Sequence, residues 1–185
     1  MLIAYRGVRT PVDGSIGIMV GSTGVHKRSA GILVFQRDDD GLKVLLGHMG
    51  GPWWKKRDRR AWTIPKGEYL PGETGIEAAS REFLEELGVP VPVGDLRDLG
   101  EVRQAGGKVV IAWAVEGDVD LAAVEFGTFE MEWPQGSGRL VRFPELDKVD
   151  WFDIPTAETK VVAAQRQFLW RLRDQLTDRD RSDGR

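Results

Sequence analysis

The residues best suited to chemistry are three glutamates, Glu82, Glu85 and Glu86, which lie within residues 67–89. On a helix, at about 100° per residue, their side chains fall together on an arc of roughly 100°. Like charges at this spacing repel one another unless a counter-ion neutralises them. Magnesium accepts one or two carboxylates and leaves its remaining positions to water and substrate phosphates. The spacing therefore predicts a divalent metal site for phosphate chemistry.

The helix that must position these glutamates is indicated at both of its ends. Thr74 and Glu77 form a capping-box pattern, and Gly88 lies where a left-handed C-cap is expected. We therefore predict a helix from Gly75 to Leu87. Small and apolar residues recur at helical spacing along the face that must pack on another element. They are Ile76, Ala79, Ser80, Phe83 and Leu87.

Residues 67–89 resemble the Nudix box. Gly67 is followed after five residues by Glu73, and after seven more by the run REFLEELGV, so every defining position of the box is matched. A solvated acidic helix face is the alternative interpretation of such a charge run. That alternative does not explain the glycine loop or the spacing from Glu73 to Arg81.

The resemblance to the Nudix hydrolases implies a role for each matched residue. It implies that Glu73 pairs with Arg81 to hold the loop, and that magnesium, or alternatively manganese, is the cofactor. The implied metal ligands are the carbonyl of Gly67 and the carboxylates of Glu82, Glu85 and Glu86. These three glutamates are also the expected catalytic residues.

Hydrolysis of a phosphoanhydride requires neutralised phosphate charge, a positioned water and a base. The base is one of the three box glutamates or an acidic group from another loop. Glu130 and Glu132 are further acidic candidates, although a solvated strand face is the favoured interpretation of both. We expect Glu85→Gln to lower turnover by a few orders of magnitude and to leave the fold intact.

A loop rich in cations and tryptophans precedes the box. Tryptophan faces stack on nucleobases and arginine clamps phosphates, so Trp53, Trp54, Lys55 and Arg57 are predicted to bind a nucleotide substrate. Buried packing of the tryptophans, or a solvated loop, is the alternative. Lys66, directly before the box, is a further predicted phosphate contact, with simple surface exposure as its alternative.

The substrate class is predicted less sharply than the reaction. The basic loop favours a nucleoside triphosphate or a dinucleoside polyphosphate. Residues 105–107, Ala-Gly-Gly, lie where a proline or a tyrosine is associated with Nudix subclasses, so this marker supports neither subclass. The alternatives are a catalytically idle nucleotide sensor or interaction module, an ADP-ribose-type sugar nucleotide pyrophosphatase, and a hydrolase of RNA 5′ ends.

Composition sets outer limits on the function. The chain has 185 residues, 41% of them hydrophobic, and a net charge of −3, so no global basic field attracts nucleic acid. A small nucleotide is therefore the expected partner, rather than nucleic acid. The absence of cysteine excludes disulfides, thiolate zinc sites and a cysteine nucleophile. Without an apolar run of about 18 residues or a signal-peptide core, we expect a cytoplasmic protein that does not enter membranes.

The pattern of elements indicates a mixed sheet with helices on its faces, since strands outnumber helices without strict βαβ alternation. The resemblance implies an α/β fold, the Nudix-type α/β/α sandwich with a mixed β-sheet. We expect an N-terminal extension over residues 1–25, the Nudix domain over residues 26–177 and a charged, frayed tail over residues 178–185.

Individual elements are predicted along the domain. Hairpins are expected from residues 29–35 with 42–49, and from residues 99–104 with 108–116 across a glycine turn. Residues 61–65 form a short strand that leads to the box. Further strands are expected at residues 126–133 and 147–152, with a turn-rich loop at 134–138. A long helix is predicted from Pro155 to about Leu176.

Overall fold

The computed structural model describes residues 28–38 and 41–183. The predicted extension over residues 1–25 lies outside these residues. The strands are β1 (Arg28–Asp38), β2 (Gly41–Met49), β3 (Trp62–Thr63), β4 (Lys66–Glu68), β5 (Arg97–Arg103), β6 (Val109–Glu116), β7 (Thr128–Glu132), β8 (Leu140–Pro144) and β9 (Leu146–Asp153). The helices are α1 (Gly75–Leu87), α2 (Ile154–Lys160) and α3 (Arg166–Asp183). Within the described ranges, no helix combines the length and the apolar content that crossing a bilayer requires.

A seven-stranded sheet forms the centre of the molecule, in the order β3-β2-β1-β6-β5 with β4 added to β1 and β9 to β2. Strand β1 runs parallel to β6 and antiparallel to β2 and β4, so the sheet is mixed. Strands β7 and β8 pair only with each other among the described strands and form a separate two-stranded ribbon. The two predicted hairpins, β1 with β2 and β5 with β6, are confirmed.

Helices cover both faces of the sheet. Successive side chains of a strand point to opposite faces. Ile32 accordingly packs in a buried cluster with Phe83 of α1, whereas its neighbour Leu33 packs in another with Phe168 of α3. The predicted α/β/α sandwich with a mixed sheet is confirmed.

Helix α1 has the predicted ends. Thr74 accepts a hydrogen bond from the Glu77 N–H, the Glu77 carboxylate accepts one from the Thr74 N–H, and both halves of the capping box are formed. Gly88 ends the helix in the left-handed region, with φ of 70°. Local cap chemistry therefore fixes the length of the helix that carries the box glutamates.

The single long helix predicted from Pro155 is wrong, because the chain breaks between α2 and α3. At the break Val161 is extended, with ψ of 148°, and forms a parallel bridge with Trp62. The N–H of Val162 donates to the Trp62 carbonyl at 2.9 Å. Pairing with the sheet thus replaces helix continuation, and α3 extends to Asp183, beyond the predicted end.

Strand β8 is an element that the sequence does not predict. It pairs with β7 from Glu132 opposite Leu140 to Thr128 opposite Pro144. The loop predicted at residues 134–138 is the connection between the two strands. The base of the ribbon lies at the residues that precede β7 and follow β8, where the Glu145 N–H donates to the Gly127 carbonyl.

Candidate metal centre

Three carboxylates meet where α1 faces the beginning of β9. One carboxylate oxygen from each of Glu82, Glu86 and Glu145 lies within 4.8 Å of the other two. Glu82 and Glu86 are buried, with 8% and 6% of their surfaces exposed, and Glu145 is half-buried. We call these three residues the acidic cluster. Its hard oxygen donors are of the kind that magnesium and manganese prefer.

Strand β4 brings backbone groups up to the acidic cluster. Gly67 is paired with Ala30 of β1 and lies directly against Glu82. A Cβ at residue 67 would overlap the Glu82 carboxylate, so only glycine leaves that carboxylate its place. The neighbouring N–H of Lys66 donates to Oε2 of Glu86 at 3.0 Å. The predicted Lys66 and Gly67 therefore both lie at the cluster.

Burial makes the charge of Glu86 unfavourable. Removal from water, reinforced by the charges of Glu145 and Glu82, raises the pKa of Glu86 to about 8, although Lys66 acts in the opposite direction. At neutral pH the Glu86 carboxyl consequently retains its proton unless a bound cation replaces that proton. The donor set therefore fits a divalent cation on electrostatic as well as chemical grounds.

Arg81 connects the loop after β4 with the acidic face of α1. Its Nε donates to Oε1 of Glu73 at 2.6 Å and its Nη2 to Oε2 at 2.9 Å, a bidentate ion pair. Nη2 also donates to the Glu68 carbonyl at 3.0 Å. The Arg81 guanidinium, helped by the Leu70 N–H, lowers the pKa of Glu73 to about 2. The structure thus brings Glu73 and Arg81 together, and their predicted task of holding the loop stays a prediction.

Glu85 lies beside the acidic cluster rather than within it. The Nη1 of Arg81 donates to Oε1 of Glu82 at 2.7 Å and to Oε2 of Glu85 at 3.1 Å. The Glu85 side chain is 42% exposed. One guanidinium nitrogen therefore separates Glu85 from the cluster, and its predicted metal-binding and catalytic roles stay predictions.

Glu145 belongs to the acidic cluster, but it is not among the site residues predicted from the sequence. Its N–H donates to the Gly127 carbonyl at 2.8 Å, and the Gly127 N–H donates to the Glu86 carbonyl at 3.2 Å. These two bonds join the base of the ribbon to the end of α1. No local motif marks Glu145, because its position depends on pairing between segments that are distant in the sequence.

The acidic residues of β7 lie elsewhere. Glu130 forms an ion pair with Arg142 of β8 at 3.1 Å. Glu132 accepts a hydrogen bond from the Gly138 N–H at 2.5 Å. Neither residue belongs to the acidic cluster, so the additional carboxylate is that of Glu145, at the base of the ribbon.

Residues 50–60, which we call the cation loop, begin next to the acidic cluster. The Gly50 N–H donates to the Glu145 carbonyl at 2.8 Å. Trp53 is half-buried and lies edge-on to Trp133, which follows β7, with ring centroids 5.1 Å apart. The loop and the ribbon are therefore in contact beside the cluster.

Trp54 and the loop cations differ in how far they are exposed to solvent. Trp54 packs against the core cluster beneath α3, and the Arg57 guanidinium lies 5.5 Å from the centroid of its ring. The cationic side chains are exposed: Lys55, Lys56, Arg57 and Arg59. Trp54 is half-buried by this packing, whereas the four cationic side chains are exposed to solvent.

The comparison with protein families gives one match over most of the chain. The NUDIX domain model matches residues 25–172. The MutT4 protein of Mycobacterium tuberculosis is 27% identical over 180 residues, which cover 95% of this chain and 64% of that protein. This chain thus spans less than two thirds of the mycobacterial relative. An RNA pyrophosphohydrolase of Legionella pneumophila (strain Corby) is 28% identical over 121 residues, covering 62% of this chain and 68% of that protein.

Solved structures share the fold. The binary complex of the C. elegans Ap4A hydrolase superposes with a TM-score of 0.59 at 20% identity, over 82% of this chain and 98% of that one. The NUDIX domain of Shewanella oneidensis NrtR, solved with ADP ribose, superposes with a TM-score of 0.56 at 16% identity, over 82% and 89% of the two chains. At these identities the likeness establishes the architecture alone.

Proposed function

The chain belongs to the NUDIX family, and from this premise we propose that it is a magnesium-dependent pyrophosphohydrolase of nucleotides with three or more phosphates. Family membership confirms the resemblance that residues 67–89 carry. The proposed substrate is a nucleoside triphosphate or a dinucleoside polyphosphate. The observation that carries the proposal is the convergence of Glu82, Glu86 and Glu145 on one largely buried point.

The proposed cofactor follows from the donor set. Three carboxylate oxygens converge, one of them on a carboxyl whose pKa is raised to about 8, and Mg²⁺ or Mn²⁺ would relieve their repulsion. When bound, the cation supplies charge neutralisation for the phosphates and activation of the attacking water. The proposed ligands are Glu82, Glu86 and Glu145, with Glu85 and the Gly67 carbonyl as the further ligands that the box implies.

Side chains around the cluster are proposed to position the carboxylates, accept a proton and contact the substrate phosphates. Arg81 donates to both Glu82 and Glu85, which fixes these carboxylates before substrate arrives. Attack by water releases a proton, and Glu82 and Glu85 are the acceptors that we would test first. Lys66, whose charge acts on Glu86, is proposed to contact a substrate phosphate.

The cation loop is proposed to bind the part of the substrate that does not react. Trp53 and Trp54 offer aromatic surface, while Lys55 and Arg57 offer charge for the more distant phosphates. The loop begins at a residue that is hydrogen-bonded to Glu145, so its charges extend outward from the acidic cluster. We propose that a substrate with several phosphates contacts both regions.

Two further observations favour hydrolysis over binding alone. Every glutamate of the box is present, whereas loss of one of them is what we would expect of an idle nucleotide sensor. The Legionella relative is a hydrolase by name.

Chromatographic analysis of the products from a substrate panel, which detects nucleotides and sugar phosphates as well as phosphate and pyrophosphate, tests the proposal. The panel contains nucleoside triphosphates, dinucleoside polyphosphates, ADP-ribose and 5′-triphosphorylated RNA, each with Mg²⁺, with Mn²⁺ and with a chelator. We expect metal-dependent turnover that is fastest for a nucleotide with three or more phosphates and is lost in Glu82→Gln. Nucleotide binding without turnover under every condition would establish the sensor instead.

A further inference from the structure

A buried histidine lies beneath the cation loop. His48, in β2, has 8% of its surface exposed, and its ring lies edge-on to Trp62 with centroids 5.2 Å apart. Its Nδ1 lies 2.5 Å from Oδ1 of Asp147, and its Nε2 lies 2.6 Å from the carbonyl oxygen of Arg57. Both ring nitrogens are therefore engaged by oxygen atoms at short distance.

These two contacts join the cation loop to the strand that follows the acidic cluster. Arg57 belongs to the loop, whereas Asp147 lies in β9, two positions after Glu145. A carbonyl oxygen accepts hydrogen bonds and cannot donate one, so His48 must hold the loop by donating from Nε2. The contact acts on the backbone of Arg57, so it fixes the course of the loop without neutralising its charge.

The charges on this loop remain available. Among the described residues, no carboxylate forms an ion pair with Lys55, Lys56 or Arg59, whereas Asp58 is engaged by Lys160 at 2.6 Å and by the Trp62 ring N–H at 2.9 Å. The acidic residue of the loop is thus paired with Lys160, although 69% of its side chain is exposed, and the side chains of Lys55, Lys56 and Arg59 are exposed to solvent. A loop built in this way concentrates positive charge at a fixed place beside the cluster.

We propose that His48 and Asp147 are positioning residues that hold the cation loop in place for the phosphates of the substrate. This inference rests on the proposed function and adds residues that touch neither the substrate nor the reacting atoms. An unanchored loop must be ordered each time substrate binds, which weakens binding. Loss of the anchor therefore raises KM and leaves the chemistry of the cluster, and hence kcat, nearly unchanged.

His48→Phe is the direct test, because phenylalanine keeps a ring against Trp62 and removes both hydrogen bonds. Inorganic tripolyphosphate with Mg²⁺ is the binding probe, measured by calorimetry. We expect its Kd, and the KM of the best substrate in the panel, to rise roughly tenfold, with kcat within about twofold of the wild-type value. His48→Gln, which retains a side-chain N–H donor, should restore part of the affinity.

A double-mutant cycle separates positioning from general destabilisation. If His48 acts through the loop, adding Lys55→Ala to His48→Phe should weaken tripolyphosphate binding less than Lys55→Ala does in the wild-type protein. Asp147→Ala, at a more exposed residue, provides a second variant should His48→Phe fold poorly. Glu116→Gln breaks the exposed Arg37–Glu116 ion pair, which lies in other strands, and serves as the control.

The outcomes distinguish this inference from the proposed function. Unchanged Kd and KM in both His48→Phe and Asp147→Ala, in an active wild-type enzyme, would overturn the positioning role. Strict additivity of Lys55→Ala with His48→Phe would overturn it as well. A wild-type protein that hydrolyses nothing in the panel would overturn the proposed function, while the tripolyphosphate affinities would still decide whether His48 positions the loop.

Discussion

The acidic cluster and the cation loop are neighbours of opposite character. The cluster consists of carboxylates on α1 and at the start of β9, and two of its three members are buried. The cation loop carries four exposed cations on irregular backbone, Lys55, Lys56, Arg57 and Arg59, whereas its Arg60 is half-buried. A backbone hydrogen bond from the Gly50 N–H to the Glu145 carbonyl joins the two regions.

The difference corresponds to two different physical requirements. Like charges can be held together only where the fold supplies rigid elements and a cation completes the site. Recognition of phosphate chains instead needs accessible cations that are held where the phosphates bind. We therefore expect changes in the cluster to act on kcat and changes in the loop to act on KM.

The largest effect should follow from Glu86→Gln. The amide keeps the volume of the carboxyl and removes its charge, so we expect kcat to fall by roughly 10³-fold without loss of folding. Steady-state kinetics with Mg²⁺, together with thermal melting, measures both quantities. Glu116→Gln, the same exchange at an exposed ion pair, should leave kcat unchanged. A similar loss of kcat in Glu116→Gln would contradict a specific role of Glu86 in turnover.

Gly67→Ala should produce the next largest effect. The added methyl group occupies the place of the Glu82 carboxylate, which must then leave the cluster. We expect metal affinity and turnover to fall by about 10–100-fold, as is usual when a ligand is displaced by its surroundings. Titration of activity with Mn²⁺ measures the change, and wild-type metal dependence in this variant would contradict the close approach of β4.

A smaller effect is expected from the cation loop. Combined Lys55→Ala and Arg57→Ala should raise KM about tenfold for a nucleoside triphosphate, raise it less for a diphosphate, and change kcat by no more than about twofold. The rise in KM should diminish at high salt, because exposed charges are screened. A loss confined to kcat would place these side chains in the reaction itself.

The smallest expected effect is a dependence of stability on pH, which is measured first on the unsubstituted protein. The pKa of Glu86 rises from 4.5 to about 8 on folding, so between these values the folded state holds a proton that the unfolded state releases. Without metal, unfolding free energy should therefore fall as pH rises from about 4.5 to 8, and Mg²⁺ should restore it. Melting scans should show a shift of several degrees, and Glu86→Gln should remove this pH dependence.

Local signals account for the parts of the molecule that the sequence predicts well. The ends of α1 depend on Thr74, Glu77 and Gly88, which are neighbours in the chain, and all three act as expected. The break at Val161 and the position of Glu145 depend on hydrogen bonds between distant segments. Contacts between distant segments cannot be read from short-range spacing. The sequence therefore predicts the box but not Glu145, the third carboxylate of the cluster.

His48 illustrates the same limit for the surroundings of the site. In the sequence it is a single histidine at the end of a strand, without a motif around it. The pairing of β2 with β9 places Asp147 next to Nδ1 of His48. The course of the cation loop places the Arg57 carbonyl next to Nε2. Positioning residues of this kind are defined by topology rather than by spacing.

The attachment of the β7–β8 ribbon has a consequence for how such proteins diversify. Both ends of the ribbon are fixed at its base, by the bonds from Gly127 to Glu86 and from Glu145 to Gly127. We expect insertions, deletions or exchanges beyond that base to leave the Glu145 carboxylate in register with Glu82 and Glu86. The ribbon is thus a unit whose tip can be exchanged without moving its base, and we expect ribbons from related chains to graft onto it.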